Sequence, residues 1–304
     1  MMEMKENIPN FLYKMLLEQY GENITEKIIN GYGAKRATTL RVNTLKATVE
    51  KVKTELEQAG IEYEQVEWNK DALIIKNASE TDIRKLDIYN NGEIYLQSLS
   101  SMIPVIVLEP KAQENILDMA AAPGGKTTQM SAMSNDQALI TACEKNKIRA
   151  DRLKYNIEKQ GAKRISVLVE DARNLNDFFS FDKILLDAPC SGSGTINLAD
   201  EKLGKNFTEE LIKRAEKTQI QLLKKAIKVL KPGHEMIYST CSILKNENEE
   251  NVKKILKSGN IEIVQINEDI FNGIPLLSST LEGTITVCPN KLYEGFFIAK
   301  LRKR

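Results

Sequence analysis

Asn115-Ile-Leu-Asp-Met-Ala-Ala-Ala-Pro-Gly-Gly-Lys126, continued by Thr127-Thr-Gln-Met130, joins three kinds of local structure without a break. Residues 114–119 read as a buried strand with polar interruptions. Residues 120–125 are small or turn-forming, and a helical stretch follows. A strand, a tight small-residue turn and a helix form one half of a nucleotide-binding α/β unit. Glycine lacks a Cβ, so a ligand can approach the backbone there. The helix start then offers unpaired N–H groups to polar ligand atoms. The stretch has neither the G-x-G-x-x-G pattern of dinucleotide sites nor the spacing of a phosphate-binding P-loop. Taken alone, Pro-Gly-Gly is an ordinary turn.

The remaining chain gives the turn its context. Strand-like runs alternate with helical ones at 138–144, 147–161, 165–170, 181–187, 208–230 and 236–240. Asn246 is expected to cap a helix running to about residue 257, and strand-like pieces at 285–288 and 295–301 follow. Strands alternating with helices predict a mostly parallel sheet covered on both faces. Ligands of such sheets sit outside the carboxyl ends of the strands. Four clusters fall at those ends: the glycine turn, Glu144, Asp171 and Asp187-Ala-Pro-Cys-Ser-Gly-Ser-Gly194. The next strand ends at Thr240-Cys241.

Upstream, residues 8–31 suggest two helices with Phe11, Leu12, Met15, Leu16 and Tyr20 on an apolar face. A strand at 38–44, a helix at 49–59 closed by Gly60, and strands at 61–67 and 72–76 make a small α+β module. The turn Asn90-Asn91-Gly92 is a sensible boundary, dividing the chain into 1–92 and 93–304. Residues 98–109 read as a helix that tolerates Pro104 in its first turns.

Composition bounds the alternatives. The 304 residues are 42% hydrophobic, enough for an ordinary core, and 43 basic against 42 acidic side chains give a net charge of +1. A nucleic-acid partner would need an uneven charge distribution. No apolar run approaches the ~18 residues of a membrane span. Met1-Met-Glu-Met-Lys-Glu-Asn7 is too acidic and polar for a secretory signal. The four cysteines form no C-x-x-C pair and there is one histidine, His234, read as a turn residue. A metal site is therefore not expected, and the thiols are expected to be free in a reducing cytoplasm.

Two of those thiols stand out. Cys143 and Cys288 lie in apolar strand contexts and read as packing. Cys190 and Cys241 occupy neighbouring strand tips, which would bring both into one cleft. Glu144, about 20 residues past the glycine turn, is placed to accept hydrogen bonds from ribose hydroxyls. Asp171 is suited to an adenine amino group, or else to capping the short turn after it.

Met119-Ala-Ala-Ala-Pro-Gly-Gly-Lys126, Asp187-Ala-Pro-Cys190 and Ser239-Thr-Cys241 together resemble the Sun/NSUN family of RNA cytosine-5 methyltransferases. The resemblance extends to Leu40-Arg-Val-Asn-Thr-Leu-Lys46, Gln97-Ser98, Asn246-Glu-Asn-Glu249 and Glu294-Gly-Phe-Phe-Ile-Ala299. It implies a class I methyltransferase (Rossmann-like) α/β fold, a seven-stranded mostly parallel sheet with one antiparallel strand at its end. It implies that S-adenosyl-L-methionine lies among Ala120, Ala121, Ala122, Pro123, Gly124, Gly125, Lys126, Glu144, Arg149, Asp171 and Asp187. It assigns Cys241 as nucleophile and Cys190 to product release. Asp187 is placed to hold the N3 or N4 edge of the cytosine, and Lys126 to orient Asp187 or the cofactor.

Such chemistry needs a thiolate, because carbon 5 of cytosine is a poor nucleophile until sulfur adds at carbon 6. The target base must leave its stack, which favours RNA loops held by phosphate contacts. Candidates for those contacts are Arg41, Asn43, the helix 213–231 with Lys213, Arg214, Lys217, Lys224 and Lys225, and the tail 300–304. Acidic neighbours on that helix also allow a merely solvated face. The limited lengths before residue 40 and after the last strand lead us to expect transfer RNA before ribosomal RNA, and a monomer. A non-catalytic RNA-binding or ribosome-assembly protein on the same fold, and a methyltransferase acting on DNA or a small molecule, are the rival readings.

Overall fold

The computed structural model describes residues 8–200, 203–267 and 271–304; the polar N-terminal stretch 1–7 discussed above lies outside them. Two sheets organise the fold. The first is antiparallel, with strands β1 (Thr38–Val42), β2 (Tyr63–Gln65), β3 (Ala72–Ile75) and β4 (Ile94–Leu96) in the order β2-β3-β1-β4. Helix α1 (Asn10–Gly33) precedes it and is broken at Gly21, whose φ of 73° only glycine adopts readily, so the two anticipated helices meet at a kink. Helix α2 (Val49–Gln58) starts at Thr48, whose side chain accepts from the Lys51 amide. Strand β4 escaped the sequence reading: three residues between a glycine turn and a helix cap are too few to show a period. It lies beyond Gly92 yet pairs with β1.

The second sheet carries β5 (Asn115–Asp118), β6 (Leu139–Cys143), β7 (Ile165–Leu168), β8 (Phe181–Asp187), β9 (Leu230–Thr240), β10 (Ile261–Val264), β11 (Leu276–Leu277), β12 (Ile285–Val287) and β13 (Phe296–Lys303). Its order is β11-β12-β13-β9-β8-β5-β6-β7, with β10 also on β13. Strands β5 to β9 are mutually parallel, and β13 runs antiparallel to β9. Seven of the strands thus form the expected sheet, and the short β11 and β12 are an addition to it. Strand order reverses at β5, which lies between β6 and β8, so the crevice for a ligand opens at the carboxyl ends of those strands.

Side-chain alternation along the strands feeds two cores. Ile116, Leu185 and Ile237 face helix α3 (Leu99–Leu108) and Met130 of α4 (Gly125–Met133). Leu117, Leu186 and Tyr238 face the opposite side, against Leu222, Leu223 and Ala226 of α6 (Glu209–Val229) and Val252 of α7 (Glu249–Leu256). Helix α5 (Lys147–Gln160) closes on β6 and the glycine turn through Leu153 and Ile157. The apolar face of α1, including Leu12 and Leu16, packs on Ile196, Phe207 and Ile243 rather than standing alone. One expected cap is wrong: α7 begins after Asn248, not Asn246. Asn248 is drawn inward instead, donating to Ser242 O (2.8 Å) and accepting from Thr240 Oγ1 (2.6 Å).

Candidate active site

The glycine turn lies at the tip of β5. Gly124 has φ of 107° and precedes α4; an added Cβ would meet Leu153 Cδ1 at 2.9 Å in a conformation side chains resist. Thr127 Oγ1 donates to Asp118 Oδ2 (2.7 Å), tying the helix start back to the strand end. Asp118 is buried, and that burial pushes its carboxyl up to about 6, against the opposing hydrogen bond from Thr127 and with the Asp187 charge adding to the rise.

Parallel pairing of β8 with β9 sets Asp187 opposite Ser239. The loops beyond these tips bring Cys190 Sγ to 3.1 Å from Cys241 Sγ; both are free thiols and half-buried. The hydrogen bond with Cys241 and the burial of its side chain hold the Cys190 thiol well above its ordinary range, so Cys190 keeps its proton. Lys126 Nζ donates to Asp187 Oδ2 (2.7 Å) and Ser101 Oγ (2.8 Å) and lies 5.2 Å from the Phe296 ring centroid. Ser239 Oγ donates to the other oxygen, Asp187 Oδ1 (2.9 Å). A cavity of about 300 Å³ opens over this group, lined by Ala120, Ala121, Ala122, Pro123, Gly125, Lys126, Asp187 and Cys241.

A second, narrower cleft shares Ala120 with that cavity and runs past Glu144, Arg149 and Asp171. Glu144 is buried and accepts from the Asn146 amide (2.8 Å), with Arg149 at 3.5 Å. Arg149 also donates to Ala122 O (2.9 Å), bracing the turn. Asp171 accepts from the Arg173 amide (3.0 Å) and pairs with its guanidinium (2.6 Å), which holds its carboxyl below the usual range. The capping reading of Asp171 is therefore realised, while its side chain still lines the cleft. Cys143 and Cys288 are buried, as their strand contexts predicted. Among the described residues there is no metal-binding group of His, Cys, Asp and Glu, and no helix is long and apolar enough to cross a membrane.

The phosphate-contact candidates fare differently. Arg41 is 2% exposed, donates to Gln97 Oε1 (3.0 Å) and Thr128 Oγ1 (3.2 Å), and is lowered to about 10 by burial. Asn43 is equally buried and donates to Gly92 O (2.8 Å) and Gln160 O (2.7 Å). Both fasten the first sheet to the second unit, out of reach of a phosphate. The tail 300–304 is largely strand β13, with Lys300 and Arg302 paired to Glu235 and Arg304 to Glu262. On α6, Lys225 is held by Asp177 (2.6 Å), whereas Lys217 and Lys224 remain exposed.

One contributor escaped the sequence reading. Glu247, fully buried, accepts from Ser191 N (2.8 Å), Ser191 Oγ (2.5 Å), Ser242 Oγ (2.6 Å) and Gln219 Nε2 (3.1 Å). It joins the loops that carry the two cysteines. A carboxylate amid Asn246-Glu-Asn-Glu249 reads as helix-start charge, and only tertiary structure turns it inward.

Residues 105–302 match the family of 16S rRNA methyltransferase RsmB/F, and residues 8–82 match the ferredoxin-like domain of the RsmF/B-like methyltransferases. The chain is 37% identical over 275 residues to ribosomal RNA small subunit methyltransferase F of Shewanella loihica, covering 87% of this chain and 56% of that protein. It spans between 56% and 63% of the length of the curated relatives compared. Among solved structures, PH0851 is 35% identical with a TM-score of 0.89, covering 99% of this chain and 68% of that one. NSun6 from Pyrococcus horikoshii, solved with SFG, is 26% identical with a TM-score of 0.86, covering 97% and 98%.

Proposed function

Because this chain belongs to the RsmB/F family of methyltransferases, we propose that it transfers a methyl group from S-adenosyl-L-methionine to carbon 5 of a cytosine in RNA. The observation that carries the reading is the Cys241 thiol, 3.1 Å from that of Cys190, lining the same cavity as Pro123 and Gly125 of the turn. The residues fit the methyl donor. Three alanines leave the turn's backbone open to the cavity, the first turn of α4 supplies N–H groups, and the Glu144 carboxylate lines the adjoining cleft. When bound, S-adenosyl-L-methionine supplies an electrophilic methyl on sulfonium.

On this reading Cys241 is the nucleophile. Its thiolate forms a bond to carbon 6 of cytosine, and the electron pair of the 5,6 double bond is released to make carbon 5 nucleophilic. The proton that Cys190 retains is then a hydrogen-bond donor to the neighbouring sulfur, stabilising it as a thiolate. Asp187, paired with Lys126 at 2.7 Å, serves as acceptor for the cytosine amino group. After transfer the carbon-5 proton leaves, the double bond re-forms and the sulfur of Cys241 is expelled. Cys190 is assigned to this release stage.

The names of the matched family and of the Shewanella protein favour small-subunit ribosomal RNA as substrate over the transfer RNA first expected. We further propose the division 1–92 and 93–304 as RNA-binding module and catalytic domain, and a cytoplasmic monomer. The test is incorporation of labelled methyl from S-adenosyl-L-methionine into unmodified 16S ribosomal RNA and into bulk transfer RNA, with mapping of 5-methylcytosine. Label at cytosine 5 supports the proposal. RNA binding without any label would instead favour the non-catalytic assembly reading.

A further inference from the structure

A groove of about 450 Å³ lies outside the site just described, between the first sheet and helix α5. Three cations, Arg84, Arg152 and Lys159, and three tyrosines, Tyr89, Tyr95 and Tyr155, line it, and no carboxylate does. In a chain whose acids and bases are nearly equal in number, that is a local concentration of positive charge. Tyr155 is 60% exposed, so its ring is free to stack. Arg152 is exposed and forms no hydrogen bond or ion pair among the described residues.

The cations crowd one another. Lys159 Nζ lies 3.8 Å from the Tyr89 ring centroid and Arg84 Cζ lies 5.2 Å from the same centroid, with only Arg84 paired, to Glu80 at 3.1 Å. Burial together with the charges of Arg84 and Lys46 pulls the Lys159 ammonium down from its ordinary range, a strain that a bound anion would relieve. Gln160 also lines the groove, and its buried Oε1 lacks a hydrogen-bond partner. The groove adjoins the cavity over Cys241, since Tyr95, Leu96 and Pro123 line both.

We propose that this groove holds the unpaired RNA nucleotides next to the target base, with tyrosines as stacking platforms and Arg84, Arg152 and Lys159 facing phosphates. Aromatic rings interleaved with cations are what sequence-tolerant single-strand binding requires. The placement rests on the RNA reading above and goes beyond it by giving the strand a path. It also relocates the electrostatic contact from the buried Arg41 and the paired tail to a surface that is open.

The test uses the full chain with Tyr155→Ala, Arg152→Glu and both together. Affinity for a fluorescein-labelled single-stranded RNA oligonucleotide is read by anisotropy across a salt series, with S-adenosyl-L-methionine binding measured calorimetrically as the check on folding. Loss of one stacking ring and one phosphate contact should weaken RNA binding roughly ten-fold or more in the double variant. The salt slope should become shallower by about one. Cofactor affinity should stay unchanged, and Lys257→Ala, exposed just beyond α7, should bind RNA as the parent does. RNA affinity in the double variant equal to the parent, or a loss no greater than that of Lys257→Ala, overturns the groove. Methylation of RNA by the parent is scored separately. If the parent methylates RNA while the variants bind normally, the groove fails and the activity stands. If the variants lose RNA binding while the parent transfers no methyl, the activity fails and the groove stands.

Discussion

Cys190 Sγ and Cys241 Sγ approach to 3.1 Å although they belong to separate loops at the ends of β8 and β9. Gly194 helps enforce the approach. Its amide donates to Cys241 O (2.9 Å), and a Cβ on it would overlap the carbonyl of Gly295. On the proposed chemistry the two sulfurs act in different stages. Cys241→Ala should therefore abolish methyl transfer and leave no covalent product. Cys190→Ala should still form the bond to carbon 6 but release it poorly, so a protein–RNA adduct should accumulate on denaturing gels. Equal, adduct-free loss in both variants would remove the division of labour.

Lys126 is the one cation touching Asp187 among the described residues, and it also donates to Ser101 Oγ. Lys126→Met withdraws it and leaves only the Ser239 hydroxyl on Asp187. If the pair holds the Asp187 carboxylate in place for the base, methyl transfer by Lys126→Met should fall about ten-fold or more, with Lys126→Arg falling less. Unchanged methyl transfer in Lys126→Met would rule out this role for the pair.

Glu247 receives four hydrogen bonds in a fully buried position. Glu247→Ala leaves those donors facing a void, and each unsatisfied buried group costs about 1–3 kcal/mol. The melting temperature should fall by several degrees, and methyl transfer should fall further, because Ser191 and Ser242 flank the two cysteines. Glu247→Gln preserves shape and one of the two acceptor oxygens, and should lie between. Unchanged melting in Glu247→Ala would show the network to be dispensable.

The alternation of strands and helices, and the strand-tip positions of the glycine turn, Asp187, Cys190 and Cys241, were legible in the sequence because they follow short-range periods. Arg41 and Asn43 were misread for the opposite reason. A polar residue on a short strand looks exposed until a second unit packs over it, as Gln97 and Gln160 do here. Strands β4, β10 and β11 are too short for a period to register, and β4 carries Tyr95 and Leu96 to the cavity wall. The inward turn of Glu247 depends on Ser191, Gln219 and Ser242, of which only Ser242 is near it in the chain.

Asp118 offers a test of burial that does not depend on catalysis. Its carboxyl is raised from 3.8 to about 6, chiefly by burial, and Asp187 adds to the rise. A folded-state value above that of the unfolded chain means that the native protein binds the proton more tightly. The stability associated with the protonated form is complete below about 4 and is lost as pH rises through about 6. Fully ionised, the buried group costs about 3 kcal/mol relative to the protonated one. Asp118→Asn keeps an oxygen for the Ala120 amide, and the Thr127 hydroxyl can rotate to accept from the new amide. The variant should therefore unfold at higher urea than the parent near pH 8. That advantage should shrink as pH falls through about 6, because the parent regains its proton there. Comparing the two proteins at each pH cancels the titration of every other carboxylate. A difference in midpoint that does not vary with pH would show that Asp118 titrates normally and that its burial carries no electrostatic cost.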